Sequence, residues 1–397
     1  MATRRIFLQM TGGLAGALVV GTRARAKDGN PIELIQARID DYHRTALNNR
    51  RANVGVVVGV VTPDNAAGKG QIVYAGRDTL TNPFGNRLDL NERTPFEIAS
   101  ISKVFTSGIH YMLHGPYSGT LGSWLGNKMT MSRAIADISL RNLAIYQPGL
   151  AQDNHGGVYP PRMMESLKDF FAYMATFAPP FRQGSCYAYS NVGWALLSMA
   201  AVRLASDDTQ EFARTYNEKL ARFCGGFSAA DTQVFDVGLK PRLPMGHTEK
   251  FVALRSSRNY QPSREAGYGS GGIVSNGADM MQFLLYNMGR LPGGLTDPAL
   301  AYLQTETFHA APCSSEGPGP ATSYGWFRRE HETPRGKVVV LNKNGGVAGF
   351  TSWMGFTNWQ GTGAPSSHGV FVLCNGPFST RIGNNAMNLL LESQSGK

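Results

Sequence analysis

The chain has 397 residues, 42% of them hydrophobic and 17% charged, with four cysteines and a formal net charge of +10. These proportions exclude a fibrous, collagen-like or intrinsically disordered chain and leave room for one or two globular domains around a large core. The basic excess is scattered without a polybasic run, so it offers no footprint for nucleic acid.

The opening Met1-Ala-Thr-Arg4-Arg5-Ile-Phe-Leu-Gln leads into a glycine-rich apolar stretch, Met10 to Val20, and then Ala24-Arg25-Ala26, a small-x-small cleavage site. The pattern looks like a twin-arginine export signal over residues 1–26, with a mature chain from near Lys27 and a periplasmic destination. The apolar stretch is short for a membrane span, and no later segment offers about 18 uninterrupted apolar residues, so no stable span is expected after cleavage. Without Arg4, Arg5, Arg23 and Arg25 the 38 bases fall to 34 against 28 acids, a net +6.

From Pro31 to Arg51, Ile32, Leu34, Ile35, Ile39 and Tyr42 give the one-sided spacing of a helix. Two strands are expected next, over 54–62 and 71–74; the first is nearly continuous in valine, which fits a strand covered on both faces. Then comes Thr94-Pro-Phe-Glu-Ile-Ala-Ser100-Ile-Ser-Lys103-Val-Phe-Thr-Ser107, where Pro95 suits a first helical turn and Ile101, Val104, Phe105, Ile109 and Met112 form a buried stripe ending near Gly115-Pro116. Ser100 and Lys103 share one face, close to the helix N-terminus, where unpaired N–H groups can steady a developing negative oxygen. Between 116 and 265, helical segments near 131–143, 163–177, 191–205 and 209–222 are joined by Pro- and Gly-rich loops. Asn276-Gly-Ala-Asp279 reads as a capped helix start. The stretch 311–323 reads as a surface loop, strands follow over 324–328, 337–343, 350–356 and 369–374, and a last helix over 380–391 should pack on the sheet beside the first. The expected architecture is α/β (α+β): an antiparallel sheet from 27–115 and 266–397, flanked by N- and C-terminal helices, with an inserted all-helical subdomain over 116–265.

Two more short motifs follow the Ser-x-x-Lys in order. Tyr189-Ser190-Asn191 stands where a loop enters an apolar helix, and Lys343-Asn344-Gly345-Gly346 ends the strand-like Lys337-Val-Val-Val-Leu-Asn342. Each is weak alone: Asn is a common helix cap, and an edge-strand lysine is commonly a solvated guard against aggregation. Rival Lys/His-x-Gly matches at Lys27-Asp-Gly29 and His155-Gly-Gly157 lack the strand context. Cys186, Cys224, Cys313 and Cys374 show no C-x-x-C spacing and no zinc pattern; their pairing cannot be read from spacing, and Cys374 sits within a buried strand pattern. No Gly-x-Ser-x-Gly elbow occurs, which disfavours a Ser-His-Asp hydrolase. His110 and His114, four apart, lack the acid spacing of a zinc helix.

Phe96-Glu-Ile-Ala-Ser100-Ile-Ser-Lys103, Tyr189-Ser-Asn191 and Lys343-Asn-Gly345 followed by Gly349-Phe350 together resemble the three motifs of the penicillin-recognising serine hydrolases, the serine β-lactamase and penicillin-binding protein superfamily. Tyrosine in the middle motif points to the class C β-lactamase and D-alanyl-D-alanine peptidase branch, closest in type to periplasmic carboxypeptidase/endopeptidases. The resemblance spans nearly all the mature chain. It implies that Ser100 is the acylated nucleophile and that Lys103 and Tyr189 share the proton transfers. Lys343 would be a cation that depresses Lys103, holds tyrosinate character on Tyr189 and attracts a substrate carboxylate. Asn191 would bond Lys103 and the substrate amide, and the N–H groups of Ser100 and Gly346 would form the oxyanion hole. It implies no metal and no cofactor, and peptidoglycan stem peptides or β-lactams as partners. Asn344 stands where the family commonly carries Thr or Ser, which bears on substrate preference beside Gly345; Arg381 offers a replacement carboxylate contact. Tyr146-Gln-Pro-Gly149 departs from the family's His-Thr-Ser-Gly-like landmark. The expected function is cleavage of D-alanyl peptides, with a class C-like β-lactamase, an esterase or amidase of the same fold, and a non-catalytic penicillin-binding sensor as alternatives.

Overall fold

A computed structural model describes residues 8–10, 31–47, 53–65, 69–153, 159–160, 163–223, 231–234, 239, 241–254, 265–291, 298–314, 317–333, 336–358 and 367–392. The elements run β1 (Leu8–Met10), α1 (Pro31–Leu47), β2 (Gly55–Val61), β3 (Gln71–Gly76), β4 (Thr79–Thr81), β5 (Arg87–Asp89), β6 (Phe96–Glu97) and α2 (Ser102–His114). Then follow α3 (Leu121–Leu125), α4 (Arg133–Ala136), α5 (Leu140–Ala144), α6 (Leu167–Met174), α7 (Asn191–Ala201), α8 (Thr209–Arg222), β7 (Gln233–Val234), α9 (Tyr268–Gly271), β8 (Ile273–Ser275), α10 (Gly277–Asn287) and α11 (Pro298–Thr305). The chain closes with β9 (Ala321–Thr322), β10 (Phe327–Thr333), β11 (Gly336–Val347), β12 (Phe350–Thr357), β13 (Gly369–Cys374) and α12 (Ser379–Glu392).

The main sheet has eight strands in the order β1-β3-β2-β13-β12-β11-β10-β9, all neighbours antiparallel. β2 is buried along its whole length, as its valine run requires. Val56, Val58 and Val60 point to one face, where they meet Ile35 and Ile39 of α1 and Ile382, Met387 and Leu390 of α12; the two terminal helices cover this face together. Val57 and Val61 point the other way, into the core that holds Phe105 of α2, Trp194 of α7 and Phe283 of α10. The period of two along a strand thus assigns one valine run to two cores.

Several expectations shift. The first helix ends at Leu47, and residues 48–52 lie outside the described set, as do the side chain of Tyr42, the rival motifs at 27–29 and 155–157, Cys224 and residues 1–26 apart from β1. Pro95 precedes the short strand β6, not a helical turn, and Met112 is 39% exposed. The helix expected over 131–143 is two short ones, because the Ser139 side chain accepts from Asn142 N–H and starts α5 afresh. The segment at 163–177 begins at Leu167, capped by Ser166. The interval 116–265 holds α3 to α8 but also β7, which pairs with β8 in a three-stranded sheet. Asn276 caps α10 as expected, accepting from Asp279 N–H at 2.9 Å. α11 and the β4–β5 hairpin add to the expected elements, and β10 begins three residues late, after the positive-φ Gly325. Cys186 and Cys313 form a disulfide, and Cys374 is buried and free in β13. Within the stretch read as a loop, residue 312 bridges Tyr187, and Tyr187 N–H donates to Ala311 O at 2.8 Å.

Candidate active site

The chain reaches Ser100 through a tight turn. β6 pairs with β8; Ala99 then takes φ +48°, and a 3-10 turn over Ala99–Ile101 leads into α2. A non-glycine residue in the left-handed region is uncommon and needs outside support. The Ser102 hydroxyl supplies it, donating to Ala99 O at 2.6 Å while accepting from Ile273 N–H at 3.1 Å. Ser100 is left half-buried at the surface of the turn, and Lys103 lies wholly buried behind it.

Lys103 Nζ is 2.6 Å from Ser270 O, 2.7 Å from Asn191 Oδ1 and 3.1 Å from Ser100 Oγ. The Ser270 carbonyl is held in place by packing at α9: Thr106 of α2 donates to Gly269 O at 2.7 Å, and a Cβ at Gly269 would lie 2.1 Å from Ser198 Cβ. Burial drives the Lys103 pKa well below that of a free lysine; the Lys343 cation pushes the same way, and Asp153 opposes both. A neutral amine has two N–H bonds and one lone pair. Its two short contacts go to oxygens that only accept, so the lone pair is left for the Ser100 hydroxyl. The arrangement can therefore receive the serine proton.

Tyr189 and Asn191 enter from the start of α7, where the Ser190 side chain accepts from Gly193 N–H at 3.1 Å. The Tyr189 ring stacks on Tyr146, centroids 5.5 Å apart, and lies beneath both amines: Lys103 Nζ is 4.9 Å and Lys343 Nζ 5.0 Å from its centre. Tyr146, in the segment that departs from the family landmark, has φ +64° and donates its hydroxyl to Gly325 O at 2.7 Å. Burial raises the Tyr189 pKa above that of a free phenol, and a hydrogen bond with Ser100 only partly opposes this. Lys343 is itself brought down to about 7 by burial. Desolvation is the largest influence on both groups, so burial works against the tyrosinate expected beside Lys343.

Lys343 is buried in β11, with β10 and β12 on either side, so it is not a solvated lysine on an edge strand. Its Nζ donates to Tyr189 Oη at 3.3 Å and lies 4.8 Å from the Phe327 ring centre. β11 comes very close to the Ser100 turn. A Cβ at Gly345 would sit 2.4 Å from Ile98 O and 2.9 Å from Ser100 N, whereas one at Gly346 would meet nothing within 4 Å. Asn344 is exposed on β11. The structure thus brings Ser100, Lys103, Tyr189, Asn191 and Lys343 together, with Gly345 against Ser100 and Gly346 facing open space. Arg381 is exposed in the first turn of α12, a helix that covers the opposite face of the sheet. Sequence reading missed the Ser270 carbonyl, since a backbone acceptor has no residue signature, and the Asp153 carboxylate, which accepts from Asn191 and Val192 N–H groups.

His110 stacks on Tyr117 at 4.3 Å and His114 Nε2 meets Ala201 O at 2.8 Å, so both are packing residues. Among the described residues no helix is long and apolar enough to cross a membrane.

Residues 43–392 match the family model described as Beta-lactamase. The chain is 22% identical over 351 residues to the D-alanyl-D-alanine-carboxypeptidase/endopeptidase AmpH of Escherichia coli K12, covering 83% of this chain and 86% of that one. It is 22% identical over 271 residues to a Beta-lactamase of Providencia stuartii, 64% of this chain and 60% of the relative. Among solved structures, D-alanine carboxypeptidase AmpC from Burkholderia cenocepacia superposes with a TM-score of 0.65 at 17% identity, covering 91% of this chain and 99% of that one. A class C β-lactamase in complex with cefoxitin gives 0.66 at 17%, with 91% and 99% covered. The chain belongs to the Beta-lactamase family of serine hydrolases.

Proposed function

We propose that this protein is an exported serine acyl-enzyme hydrolase that cleaves D-alanyl peptide bonds in peptidoglycan stem peptides. The observation that carries the reading is the set of three contacts at Lys103, which leaves a buried amine's free electron pair to Ser100. Lys103 takes the proton of Ser100 as Oγ bonds to the peptide carbonyl carbon. The N–H groups of Ser100 and Gly346 receive the oxygen that becomes negative. Tyr189, whose pKa burial raises, donates its proton to the departing nitrogen and is reprotonated from Lys103, so the peptide C–N bond breaks and the acyl group stays on Ser100. Water then attacks the ester with the same groups in reverse roles. Lys343, when protonated, draws in the substrate's terminal carboxylate. Likeness to a carboxypeptidase/endopeptidase over most of both chains supports the peptide substrate. The twin-arginine pattern supports export, and a disulfide between Cys186 and Cys313 fits an oxidising compartment.

Mass spectrometry of purified muropeptides after digestion tests the reading: loss of terminal D-alanine or opened cross-links is expected, and none with Ser100→Ala. Equal digestion by Ser100→Ala would end the assignment. The likeness to a Providencia stuartii Beta-lactamase favours a second reading, fast hydrolysis of β-lactams. Turnover of a chromogenic cephalosporin, as against a lasting penicillin adduct, separates the two.

A further inference from the structure

One carboxylate sits behind the site and belongs to none of the three motifs. Asp153 Oδ1 accepts from Asn191 N–H at 2.6 Å and from Asn191 Nδ2 at 3.1 Å. Its Oδ2 accepts from Val192 N–H at 3.0 Å and from the Ser190 hydroxyl at 3.4 Å. Asp153 N–H donates back to Tyr189 O at 3.1 Å. The residue therefore grips the chain on both sides of Tyr189-Ser190-Asn191. Its two oxygens already hold four donors, which occupies the roughly four acceptor positions of a carboxylate and leaves no capacity for a substrate cation.

What it does is visible in the Asn191 amide. An ionised carboxylate only accepts, so Asn191 must turn its NH2 toward Asp153 and its oxygen toward Lys103, 2.7 Å away. Flipping the amide would set oxygen against carboxylate and NH2 against the amine. With the oxygen fixed there, Lys103 commits one N–H to Asn191 and one to Ser270 O, and its third direction faces Ser100. We propose that Asp153 is a positioning residue for acylation, which through the fixed Asn191 amide sets the direction in which the Lys103 nitrogen meets Ser100. This rests on Ser100 and Lys103 being the acylating pair. Asp153 also places a negative charge beside Lys103, against Lys343, whose Nζ shares the Tyr189 ring with Lys103 Nζ. The other groups facing this cluster are the hydroxyls of Tyr189 and Tyr159, the latter beside Asp153.

The test uses the full chain with Asp153→Asn, Asn191→Ala and the double variant. Two readouts apply: the rate of covalent adduct formation with a penicillin by intact mass, and titration of Lys103 by NMR of protein carrying 13Cε-labelled lysine. Asp153→Asn should slow acylation on the order of tenfold to a hundredfold. It should also move the acid limb of the rate profile and the Lys103 midpoint to lower pH, because the neighbouring negative charge is gone. In the Asn191→Ala background the same change should add little to the loss of rate, since both act through one amide. A purely structural cap would lower the melting temperature and leave the acylation rate per folded molecule where it was. Unchanged titration, or losses that multiply in the double variant, would overturn the proposal. Asn191→Ala leaves the backbone contacts of Asp153 in place and keeps the test alive if Asp153→Asn folds poorly. A wild-type protein that forms no adduct counts against the proposed function, while the NMR titration still decides on Asp153.

Discussion

The two faces of the main sheet are built from different chemistry. Against α1 and α12, Val56, Val58, Val60 and Val372 of the sheet pack with Ile382 and Leu390 of α12, a mostly aliphatic layer with one indole at Trp353 and one thiol at Cys374. Against α2, α7 and α10 it buries aromatic rings, and also Lys103, Lys343 and His110, each almost without exposure. The first face gains free energy from nearly every group it covers. The second gives some of that up, since burial penalises the charged form of an amine or imidazole and lowers its pKa. The first face adds stability with each group it covers, and the second draws the pKa values of its bases down.

This contrast can be broken from either side. The largest effect is expected at Leu390→Ala, which opens a cavity in the aliphatic layer and should cost about 2–5 kcal/mol of stability. Denaturant titration measures it, and kcat per folded molecule should stay as it was. Next comes Gly345→Ala. Its Cβ would stand 2.4 Å from both Ile98 O and Ser352 Oγ, so β11 must move away from Ser100. A loss in acylation rate of about a hundredfold is expected, against little change for Gly346→Ala, whose Cβ meets nothing within 4 Å.

Lys343 should give a smaller, pH-dependent effect. With its pKa lowered by burial to about 7, it carries charge below that pH and loses it above. KM for substrates with a terminal carboxylate should then rise about tenfold per unit above pH 7, until carboxylate binding itself holds the proton. KM for an ester without a carboxylate should stay flat over the same range.

At neutral pH the smallest effect is that of His110, whose pKa burial lowers from 6.5 to about 3. Unfolded protein takes up the proton below about 6.5 and folded protein does not, so stability is full above that pH and falls as pH drops toward 3. Urea titrations across this window should show a shallower slope for His110→Phe, and an unchanged slope would remove His110 from the account.

Much of this was legible beforehand, for reasons that differ by residue. The valine run of β2 and the spacing in α12 announce themselves because hydrophobic period is a local property, and Asn276 is a local cap. The three motifs were legible as an ordered set, although each is common alone. What stayed hidden is set by distance in space. The Cys186–Cys313 pairing links residues 127 apart in sequence. Lys343 reads as an edge guard until β10 is seen beside it, and nothing in the polar loop at Asp153 announces that it meets Asn191. Pro95 misled because a proline that can open a helix can equally precede a strand. The burial that works against the tyrosinate expected at Tyr189 likewise has no local signature in the sequence.

One pairing governs how such a molecule can be made. β2, near the start of the chain, lies against β13, near its end, with Val56 opposite Cys374. Until the last strand leaves the ribosome, β2 and β12 both present open edges, and β11 has no finished sheet to hold it against the Ser100 turn. Folding must wait for this long-range closure, which is slow and leaves apolar strands exposed in the meantime. A chain cut short before Gly369 would therefore lose far more than a strand: it would be a sticky, inactive fragment, and the hydrolase would exist only once synthesis is complete.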